Sequence, residues 1–526
     1  MLFIGYVLLG AALSWTLGQD VNWDLRNYHF YNPYQLIDGR FDRDFQVAGL
    51  QTFFNPALDL PFYVAVRVLA LPPLAVGLGL GAFHGIALWV VHRLTVLLLP
   101  ADSGRFRHAA GVTAALVAAF GAGFHSEVGS TMGDATISVA ILAGLAVLMV
   151  SVVSVDGEPR VSVRGLRLAG ALAGIGAGAK LVGTPYAAGL VLAAVAIPGS
   201  TGARASRALN TAGGVLCGMM LTGGYWMIRL STEFGNPVFP HFNDLFRSPF
   251  APGLEMKFWR TLSNVSEFAV APLLVSTEAH VSGLLFNDGR IATAYISMLL
   301  FCAAVVYRRW RGGADLPEVR VRLTALLAFS LGSFLLWRHF FRVYRYLIPL
   351  ELLGAVTAIA CCAFVLGTRW RRLSLAAPLI GILLVPTVRP DWGRLEWGES
   401  YFGIDPAPLQ KYRSATVLLY DMPDGYFVPF FPESTRFIRL FPNWRVTPDT
   451  FLGRLLIRRL HDPARVPDYL FEQVRQDEDP ERTRVLASLG LFMDATGCEI
   501  VRSRIEARRI CPLHQLRKAG LEALSR

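Results

Sequence analysis

Charged residues are scarce in this sequence. Asp, Glu, Lys and Arg make up 17% of the 526 residues, whereas 53% are hydrophobic, and the mean hydropathy is +0.42. Water-soluble domains carry roughly 25% charged residues, so this composition excludes a water-soluble protein of this size. Several stretches of about 17 to 24 residues contain few charges, which is the length needed to cross a hydrocarbon core roughly 30 Å thick. We therefore expect a polytopic membrane protein.

Several sequence signals are also missing. The six cysteines do not have metal-binding spacing, and the tail contains neither a Gly-rich phosphate loop nor a nucleophile elbow. The first apolar run lacks a preceding basic region and a following small-residue cleavage site, which predicts a retained helix rather than a signal peptide. The net charge is +11, but the arginines cluster between apolar segments, as the positive-inside rule expects. Nucleic acid is therefore not an expected partner.

Apolar runs that alternate with arginine-bearing loops predict about eleven transmembrane helices. We therefore expect a multi-pass protein of the cell (inner) membrane. Placing the arginine-bearing loops in the cytoplasm puts the N-terminus in the cytoplasm and the C-terminal tail outside, in the periplasm or extracellular space. Residues 59–74 are apolar but short and end in Pro-Pro, so we expect an interfacial helix or a hairpin that enters only half of the membrane. The predicted crossings are residues 2–18, 76–99, 109–124, 136–153, 169–180, 182–197, 208–229, 291–307, 321–337, 344–366 and 374–388.

The predicted transmembrane domain covers residues 1–388, with outer loops at 19–58, 125–135 and 230–290. Charges become frequent in residues 389–526, which predicts a small extracytoplasmic α/β or α+β domain. There, ATVLLYD and TRFIRLF are typical of strands, whereas DPARVPDYLFEQVRQ and ERTRVLASLGLFMDATG are typical of helices. Cys498 and Cys511 bracket a candidate strand pair, and they can form a disulfide if the tail lies outside.

Polar side chains collect where the predicted helices meet the outer side. An interfacial cap would explain the aromatic residues beside the first helix, but it explains less well the charged groups in three other segments. Ionisable groups at or inside a bilayer are costly and by default mark a functional site. The candidates are Asp20, Asp24, Tyr28 and His29 after the first helix, Glu127 and Asp134 in the second outer loop, Lys180 between two short spans, and Arg338, Arg342 and Arg345 in RHFFRVYRY.

This combination suits the transfer of a sugar from a lipid phosphate. A carboxylate would act as general base on an acceptor hydroxyl, while arginine and lysine would hold the phosphate and stabilise its developing charge. The hypothesis requires these groups to converge on one cavity at the outer rim of the bilayer. His241, Asn236, Asn243 and Asp244 in the loop 230–290 are further candidates for selecting donor or acceptor, although a purely structural loop explains them equally well.

The ordered motifs resemble the GT-C superfamily of membrane glycosyltransferases, of the mannosyl- and arabinosyltransferase kind. In that family a catalytic acid follows the first helix, and a Pro-rich, aromatic-rich segment leads to the next span. A second outer loop carries an Asp before a helix, a glycine-rich span carries a Lys, and a late Arg-Tyr pair opens a helix. The corresponding segments, within residues 1–370, are WDLRNYHFYNPYQLIDGR, FNPALDLPFYVAV, GSTMGDATISVAIL, GIGAGAKLVGTPY and RVYRYLIPLE.

The resemblance implies an inverting hexosyl- or pentosyltransferase with a polyprenyl-phosphate-linked donor and a glycan, lipid or protein acceptor. It implies Asp24 as the base, with Asp20 as second choice, and a substrate-binding set of Tyr28, His29, Glu127, Asp134, Lys180, His241, Arg338, Arg342 and Arg345. Many family members have two adjacent acids in the first loop, whereas Leu25 follows Asp24 here. This departure leaves open which Asp is the base and whether Mg²⁺ or Mn²⁺ binds at Asp24 and Asp134. No other cofactor is expected.

Two other classes of protein remain as alternatives. A transporter or flippase for a lipid-linked or anionic solute would place charges at mid-membrane and often shows inverted repeats, but no repeat is evident and only Lys180 fits such a pathway. An O-antigen ligase or polymerase also uses large outer loops and arginines. Such enzymes lack an acidic loop directly after the first helix, so the glycosyltransferase hypothesis is preferred.

Overall fold

Long helices occupy the segments where crossings were predicted. The computed structural model describes residues 1–526 except 102–103, 156–157, 252–264, 278, 282, 312–316, 445, 447–449, 463–464, 476, 478 and 516–526. Helices at the predicted crossings are Leu2–Leu17, Pro73–Leu98, Arg105–Ala119, Asp134–Ser151, Val163–Ala179, Thr184–Ala196, Thr201–Phe234, Gly289–Trp310, Pro317–Phe340, Ile348–Trp370 and Ala376–Leu384.

Five segments of the described chain are long and apolar enough to cross a membrane, while Leu2–Leu17 and Leu181–Ala196 are shorter apolar helices. The predicted helical membrane protein is therefore confirmed, and the number of crossings stays a prediction. The five are Pro73–Leu98, Asp134–Ser151, Gly289–Trp310, Val319–Phe340 and Tyr344–Leu384.

Glycine allows two of these helices to approach closely. Gly170, Gly174 and Gly178 share one face of Val163–Ala179 because they are spaced by four residues. A Cβ on any of them would collide with backbone carbonyls of Thr201–Phe234. This spacing of small residues is typical of packed membrane helices. It also fixes the end of Val163–Ala179, where the next residue is Lys180.

The segment 59–74 forms only a short helical stretch. Leu60–Tyr63 and Val64–Val68 contribute four and five residues. At about 1.5 Å per residue they extend roughly 14 Å, which is too short for a hydrocarbon core of roughly 30 Å. The length therefore agrees with the prediction that this segment does not cross the membrane.

The chain folds into two units. The first contains Met1–Gln19, Gly77–Tyr225 and Lys257–Arg394, and the second contains Asp20–Val76, Trp226–Met256 and Leu395–Arg526. The second unit therefore combines the tail with parts of two predicted outer loops. Its shorter helical elements in these loops are Leu25–His29, Tyr31–Ile37, Arg40–Asp42, Gly49–Phe53, Pro56–Leu58 and Asn243–Phe246.

A mixed sheet forms the centre of the second unit. Its order is Leu491–Met493, Ala507–Gln515, Tyr469–Gln473, Thr416–Leu419 and Arg436–Arg439, and the last three strands are parallel. The helices Phe451–Leu460 and Pro480–Ser488 complete the predicted α/β arrangement. The predicted strand pair also forms, since Glu499–Arg502 lies antiparallel to Ala507–Gln515, and the disulfide joins Cys498 to Cys511.

One helix prediction in the tail is wrong. The segment 462–476 contains the strand Tyr469–Gln473, which lies between Thr416–Leu419 and Ala507–Gln515. Leu470 and Phe471 are buried, with 0% and 1% of their surface exposed. A strand with neighbours on both sides is selected by its partners, and this tertiary pairing overrides local helical propensity. The second predicted helix, 481–497, is helical only to Ser488 and continues as the strand Leu491–Met493.

The first outer loop adds to the edge of this sheet. The Phe45 amide donates to the Phe437 carbonyl at 2.8 Å, and the Arg439 amide donates to the Phe45 carbonyl at 3.0 Å. Beside this bridge, Arg40 holds Asp44 in a two-pronged ion pair at 2.7 and 2.8 Å, with Arg40 only 1% exposed. The Phe437 amide also donates to Asp44 Oδ1 at 3.1 Å. The loop is therefore an integral part of the second unit.

Replacing Arg40 by Leu should strongly destabilise the second unit. The change leaves the Asp44 carboxylate buried without its cation, which costs about 3–5 kcal/mol. Thermal unfolding of the purified protein in detergent would measure this loss. Arg229→Leu is the matched control, because the Arg229–Glu233 pair is about one-third exposed and is worth at most ~1 kcal/mol. Equal unfolding temperatures for the two variants would contradict the prediction.

Candidate active site

Two cationic side chains of the first unit, Lys180 and Arg345, meet at the carboxylate of Asp134. Lys180 Nζ donates to Asp134 Oδ1 at 2.6 Å and to the Met132 carbonyl at 2.6 Å. Arg345 Nε lies 3.7 Å from Asp134 Oδ2. Asp134 is 1% exposed, whereas the side chains of Lys180 and Arg345 keep 15% and 12% of their surface open. The two cations are therefore the accessible part of a buried ion cluster.

Helix ends bring these residues together. Asp134 is the first residue of Asp134–Ser151, where the partial positive charge of the helix N-terminus favours a carboxylate. Lys180 directly follows Val163–Ala179, and its extended backbone (φ −144°, ψ 121°) turns the chain away from the helix axis. Arg345 lies in the helical turn Tyr344–Leu347 that precedes Ile348–Trp370. Each side chain is thus fixed by a helix terminus.

Glu127 is a fourth member of the cluster. It is completely buried, its Oε2 accepts the Ala135 amide at 3.0 Å, and its Oε1 has no hydrogen-bond partner among the described residues. Burial, followed by repulsion from Asp134, raises the pKa of Glu127 well above its ordinary value. Beside the Asp134 carboxylate the cluster therefore holds two cations, Lys180 and Arg345, and the raised pKa favours the neutral form of Glu127.

An aromatic ring lies beside both cations. Lys180 Nζ is 5.7 Å and the Arg345 guanidinium carbon 5.2 Å from the centre of the Tyr346 ring. The guanidinium is also 5.8 Å from the centre of the Trp392 ring. Attraction between a cation and an aromatic face contributes about 0.5–2 kcal/mol. Tyr346 and Trp392 therefore help to orient the cations without neutralising them.

A second buried network supports the cluster. The six-residue helix Ala122–Glu127 ends at Glu127, and its first amides bind carboxylates: Ala122 donates to Asp288 at 2.7 Å, and Gly123 donates to Glu351 at 2.8 Å. The Tyr344 hydroxyl donates to Glu351 Oε2 at 3.1 Å. Glu351 thus links the helix that carries Glu127 to the turn that carries Arg345.

Residues of this supporting network were not predicted. Arg290 pairs with Asp288 at 2.8 Å, and a Cβ on Gly121 would collide with the Glu351 carboxylate. Arg394 donates to the carbonyls of Ser126 and Val128 at 3.0 and 2.9 Å and fixes the second outer loop. Glu351 carried a usable signal, because it is an acid inside a predicted apolar span.

Glu351→Gln should disturb the positions of Glu127 and Arg345, because Glu351 links the two segments that carry them. In glutamine an NH2 group replaces one of the two oxygens that accept the backbone amides of Gly123 and Phe124, so two donors would face each other. A buried donor without an acceptor costs about 1–3 kcal/mol. We expect a lower unfolding temperature together with a lower transfer rate. Glu233→Gln, in an exposed ion pair, is the matched control. Wild-type stability and rate in Glu351→Gln would argue against this supporting role.

Asp20 and Asp24 belong to the second unit and are described within it. Asp20 is 1% exposed, and Asn22 Nδ2 donates to its two carboxylate oxygens at 2.8 and 2.9 Å. Asp24 is 8% exposed and directly precedes the wide helical turn Leu25–His29. Both carboxylates are thus held in largely buried surroundings, and the choice between them as base stays a prediction.

His29 and Tyr28 are packed in the same segment. His29 Nδ1 lies 2.6 Å from Asp59 Oδ1, and the ring is 2% exposed. The Tyr28 ring packs against His29 with a centroid distance of 4.1 Å and an interplanar angle of 40°, and it contacts Phe54 edge-on at 5.5 Å. The sequence prediction included Tyr28 and His29 but not Asp59, which holds the imidazole.

Most polar candidates in the loop 230–290 bond to the loop itself. Asn243 Nδ2 donates to the carbonyls of Ser248 and Ala251, and Asn236 Nδ2 donates to the His241 carbonyl at 2.9 Å. These contacts give both asparagines a structural role, whereas Asp244 is exposed. His241 stacks on Phe54 with a centroid distance of 5.6 Å, and burial lowers its pKa to about 4.

The low pKa of His241 makes stability depend on pH. An unfolded histidine titrates near 6.5, so the unfolded chain takes up the proton first, and stability present above about pH 6.5 is lost as pH falls towards 4. We expect a loss of about 2 kcal/mol between pH 7 and 5 from this residue. His241→Phe should remove that part of the pH dependence of unfolding, whereas the exposed-site control His461→Phe should retain it. An unchanged pH profile in His241→Phe would contradict the assignment.

Arg338 and Arg342 precede Arg345 in the segment RHFFRVYRY, residues 338–346. Arg342 Nε donates to the Arg338 carbonyl at 2.8 Å, just beyond the helix Pro317–Phe340, and Arg342 has a left-handed backbone (φ 55°). Of the three arginines predicted to bind substrate, Arg345 is the one for which an ion pair with Asp134 is observed. The substrate-binding roles of Arg338 and Arg342 remain predictions.

The surroundings of Asp134 do not fit a divalent cation. Its carboxylate already faces Lys180 and Arg345, which would repel Mg²⁺ or Mn²⁺. In the part of the chain that the structure describes, no group of three His, Cys, Asp or Glu side chains is arranged to hold a metal. Metal binding at Asp24 remains a prediction.

The long apolar helices define a helical integral membrane protein. Among solved structures the chain is similar to ArnT from Cupriavidus metallidurans bound to undecaprenyl phosphate, with a TM-score of 0.51, 14% sequence identity and 97% of each chain covered. The apo state of the same ArnT gives a TM-score of 0.46 at 15% identity, with 97% of each chain covered.

Sequence comparison adds no closer relationship. No family model matches the chain, and no curated protein matches it. At 14% identity the likeness to ArnT concerns the fold, and it confirms the fold that the sequence motifs predicted. The activity therefore has to be argued from the residues of the site.

Proposed function

We propose that this protein is a membrane glycosyltransferase that moves a sugar from a polyprenyl-phosphate-linked donor to an acceptor hydroxyl. The acceptor oxygen attacks the anomeric carbon, the bond from that carbon to the phosphate oxygen breaks, and the configuration inverts. The base takes the hydroxyl proton, and the polyprenyl phosphate leaves with the electron pair. The reaction needs one carboxylate as base and cations for the leaving phosphate.

The cluster around Asp134 is the observation that carries the proposal. Lys180 and Arg345 are held together by a buried carboxylate, and each keeps part of its surface open. Two cations beside the single Asp134 carboxylate suit a phosphate group, and arginine binds phosphate through its planar fork. Cations fixed before the reaction stabilise the leaving phosphate without reorganisation.

Asp24 is the proposed base. A general base is an ionised side chain that lies within hydrogen-bond reach of the proton it removes. Asp24 is preferred to Asp20 because the spacing of Tyr28 and His29 after it fits the GT-C family better. The bound polyprenyl phosphate of the structurally similar ArnT supports the donor class.

The proposed location is the outer face of the cell (inner) membrane, with the N-terminus in the cytoplasm. The Cys498–Cys511 disulfide supports an outside position for the C-terminal strands, because disulfides persist in oxidising compartments. Labelling of a cysteine introduced at the exposed Arg484, in intact cells, would test the orientation. Labelling only after the membrane is made permeable would contradict it.

Purified protein and defined lipids would test the activity. The protein would be incubated in detergent with synthetic polyprenyl-phosphate sugars and an acceptor extract from the host envelope. The expected result is loss of the donor, release of free polyprenyl phosphate and one added sugar on the acceptor. In sealed vesicles, a donor that changes sides while keeping its sugar would support a flippase and contradict the transferase.

A further inference from the structure

A polar groove in the second unit is not used by the proposed reaction. We call it the arginine groove and define it by Arg43, Arg436 and Arg465 together with Ser414, Ser434 and Asp468. Its main cavity has a volume of about 680 Å³. An adjoining cavity of about 160 Å³ shares the three arginines. The residues that line both cavities belong to the second unit.

The fold holds the walls of the arginine groove in place. It lies where the three parallel strands begin: Arg436 opens Arg436–Arg439, and Asp468 immediately precedes Tyr469–Gln473. Asp468 Oδ2 accepts the Thr416 amide at 2.7 Å, and Ser434 Oγ accepts the Ser414 amide at 3.0 Å.

The loop that carries Arg43 is also fixed. Arg459 donates to the carbonyls of Asp42, Arg43 and Asp44 at 2.9 to 3.1 Å. The neighbouring bridge between Phe45 and Ile438 ties the same loop to the sheet. The groove is thus a built feature of the sheet edge and not a gap between loose side chains.

The groove has an excess of positive charge. The main cavity is lined by three arginines and one carboxylate, that of Asp468, and the adjoining cavity by four arginines and the carboxylates of Asp42 and Asp462. Among the described residues, no ion pair of Arg43, Arg436 or Arg465 is found. A concave surface lined by one sign of charge concentrates the electric field and attracts ligands of the opposite sign. Guanidinium groups bind phosphate and carboxylate through two parallel hydrogen bonds.

The remaining groups suit sugar hydroxyls. Ser414 and Ser434 can donate and accept hydrogen bonds, and the Asp468 carboxylate can accept them. Cavities for small ligands have volumes of about 300–1,000 Å³, which includes the main cavity. We propose that the arginine groove binds an anionic saccharide, namely a phosphate- or carboxylate-bearing part of the acceptor glycan. That this saccharide belongs to the acceptor rests on the proposed function, whereas binding itself is independent of transfer.

Calorimetry on the full-length protein in detergent tests the proposal. The probes are glucose 1-phosphate, glucuronic acid, inorganic phosphate and glucose. We expect glucose 1-phosphate or glucuronic acid to bind at least tenfold more tightly than glucose and than inorganic phosphate. The double variant Arg436→Gln/Arg465→Gln should lose at least tenfold in affinity. The control Arg484→Gln changes an exposed arginine outside the groove and should bind as wild type does.

The possible results separate this proposal from the transferase. Absence of binding, or equal binding by the double variant, would overturn the groove assignment while leaving the donor reaction untouched. Binding of inorganic phosphate as tightly as glucose 1-phosphate would also overturn it, because it would show an anion site without saccharide recognition. Loss of donor turnover in Lys180 or Asp24 variants with intact groove binding would show that the two properties are separate. A normal unfolding temperature in the double variant ensures that lost affinity reflects the groove.

Discussion

Asp24→Asn is expected to lower the rate of sugar transfer by about 10²–10⁴-fold, because an amide cannot accept the proton of the acceptor hydroxyl. The amide has nearly the same shape as the carboxylate, so the unfolding temperature and the affinity for polyprenyl phosphate should change little. Single-turnover transfer from a synthetic donor, measured beside a binding assay, would separate the two effects. A variant that transfers sugar at the wild-type rate would remove Asp24 as the base.

Two further variants make this result specific. Asp38→Asn changes a carboxylate in the same segment and should leave transfer unchanged. Asp20→Asn should mainly lower stability, because Asn22 would then face an amide where it now faces two carboxylate oxygens. Loss of turnover in Asp20→Asn with normal stability and an active Asp24→Asn would reassign the base to Asp20.

Lys180→Gln and Arg345→Gln are expected to lower kcat/KM for the donor by about 10²–10³-fold each. Each change removes a cation that would stabilise the leaving phosphate, and the loss of one such fixed group in an enzyme is typically of this size. Both variants should also bind polyprenyl phosphate more weakly, since each loses one of the two cations beside Asp134. Titration with polyprenyl phosphate as a product inhibitor would measure this second effect.

The control for these variants is Arg369→Gln, at the far end of the helix Ile348–Trp370. Arg369 is exposed and stacks on Trp370, so its loss should not affect donor affinity. Unchanged donor binding in both Lys180→Gln and Arg345→Gln would contradict the assignment of the phosphate site. Because Lys180 and Arg345 share Asp134, the double variant should lose less than the product of the two single losses.

Much of the candidate site was visible in the sequence because charge in an apolar context is a local signal. Glu127, Asp134, Lys180 and Arg345 were all predicted, and the structure brings these four together in the first unit. That Asp24 lies at the same cavity as these four residues stays a prediction. Asp288 and Arg290 were missed because the Ala122 amide and the Val117 carbonyl that they bind lie far away in the chain, and no local pattern reports such a partner. Glu351 was missed although an acid inside an apolar span is a local signal.

The sequence by itself determined the class of molecule. A membrane helix needs only a run of about 20 apolar residues, so the positions of the long helices and the polar ends beside them follow from local composition. Tertiary structure decided what cannot be coded locally: that 469–473 pairs as a central strand, that the first outer loop completes the sheet through Arg40, Asp44 and Phe45, and that Lys180 and Arg345 share one buried carboxylate. These features depend on contacts between segments far apart in the chain, whose free energy exists only once both partners are in place.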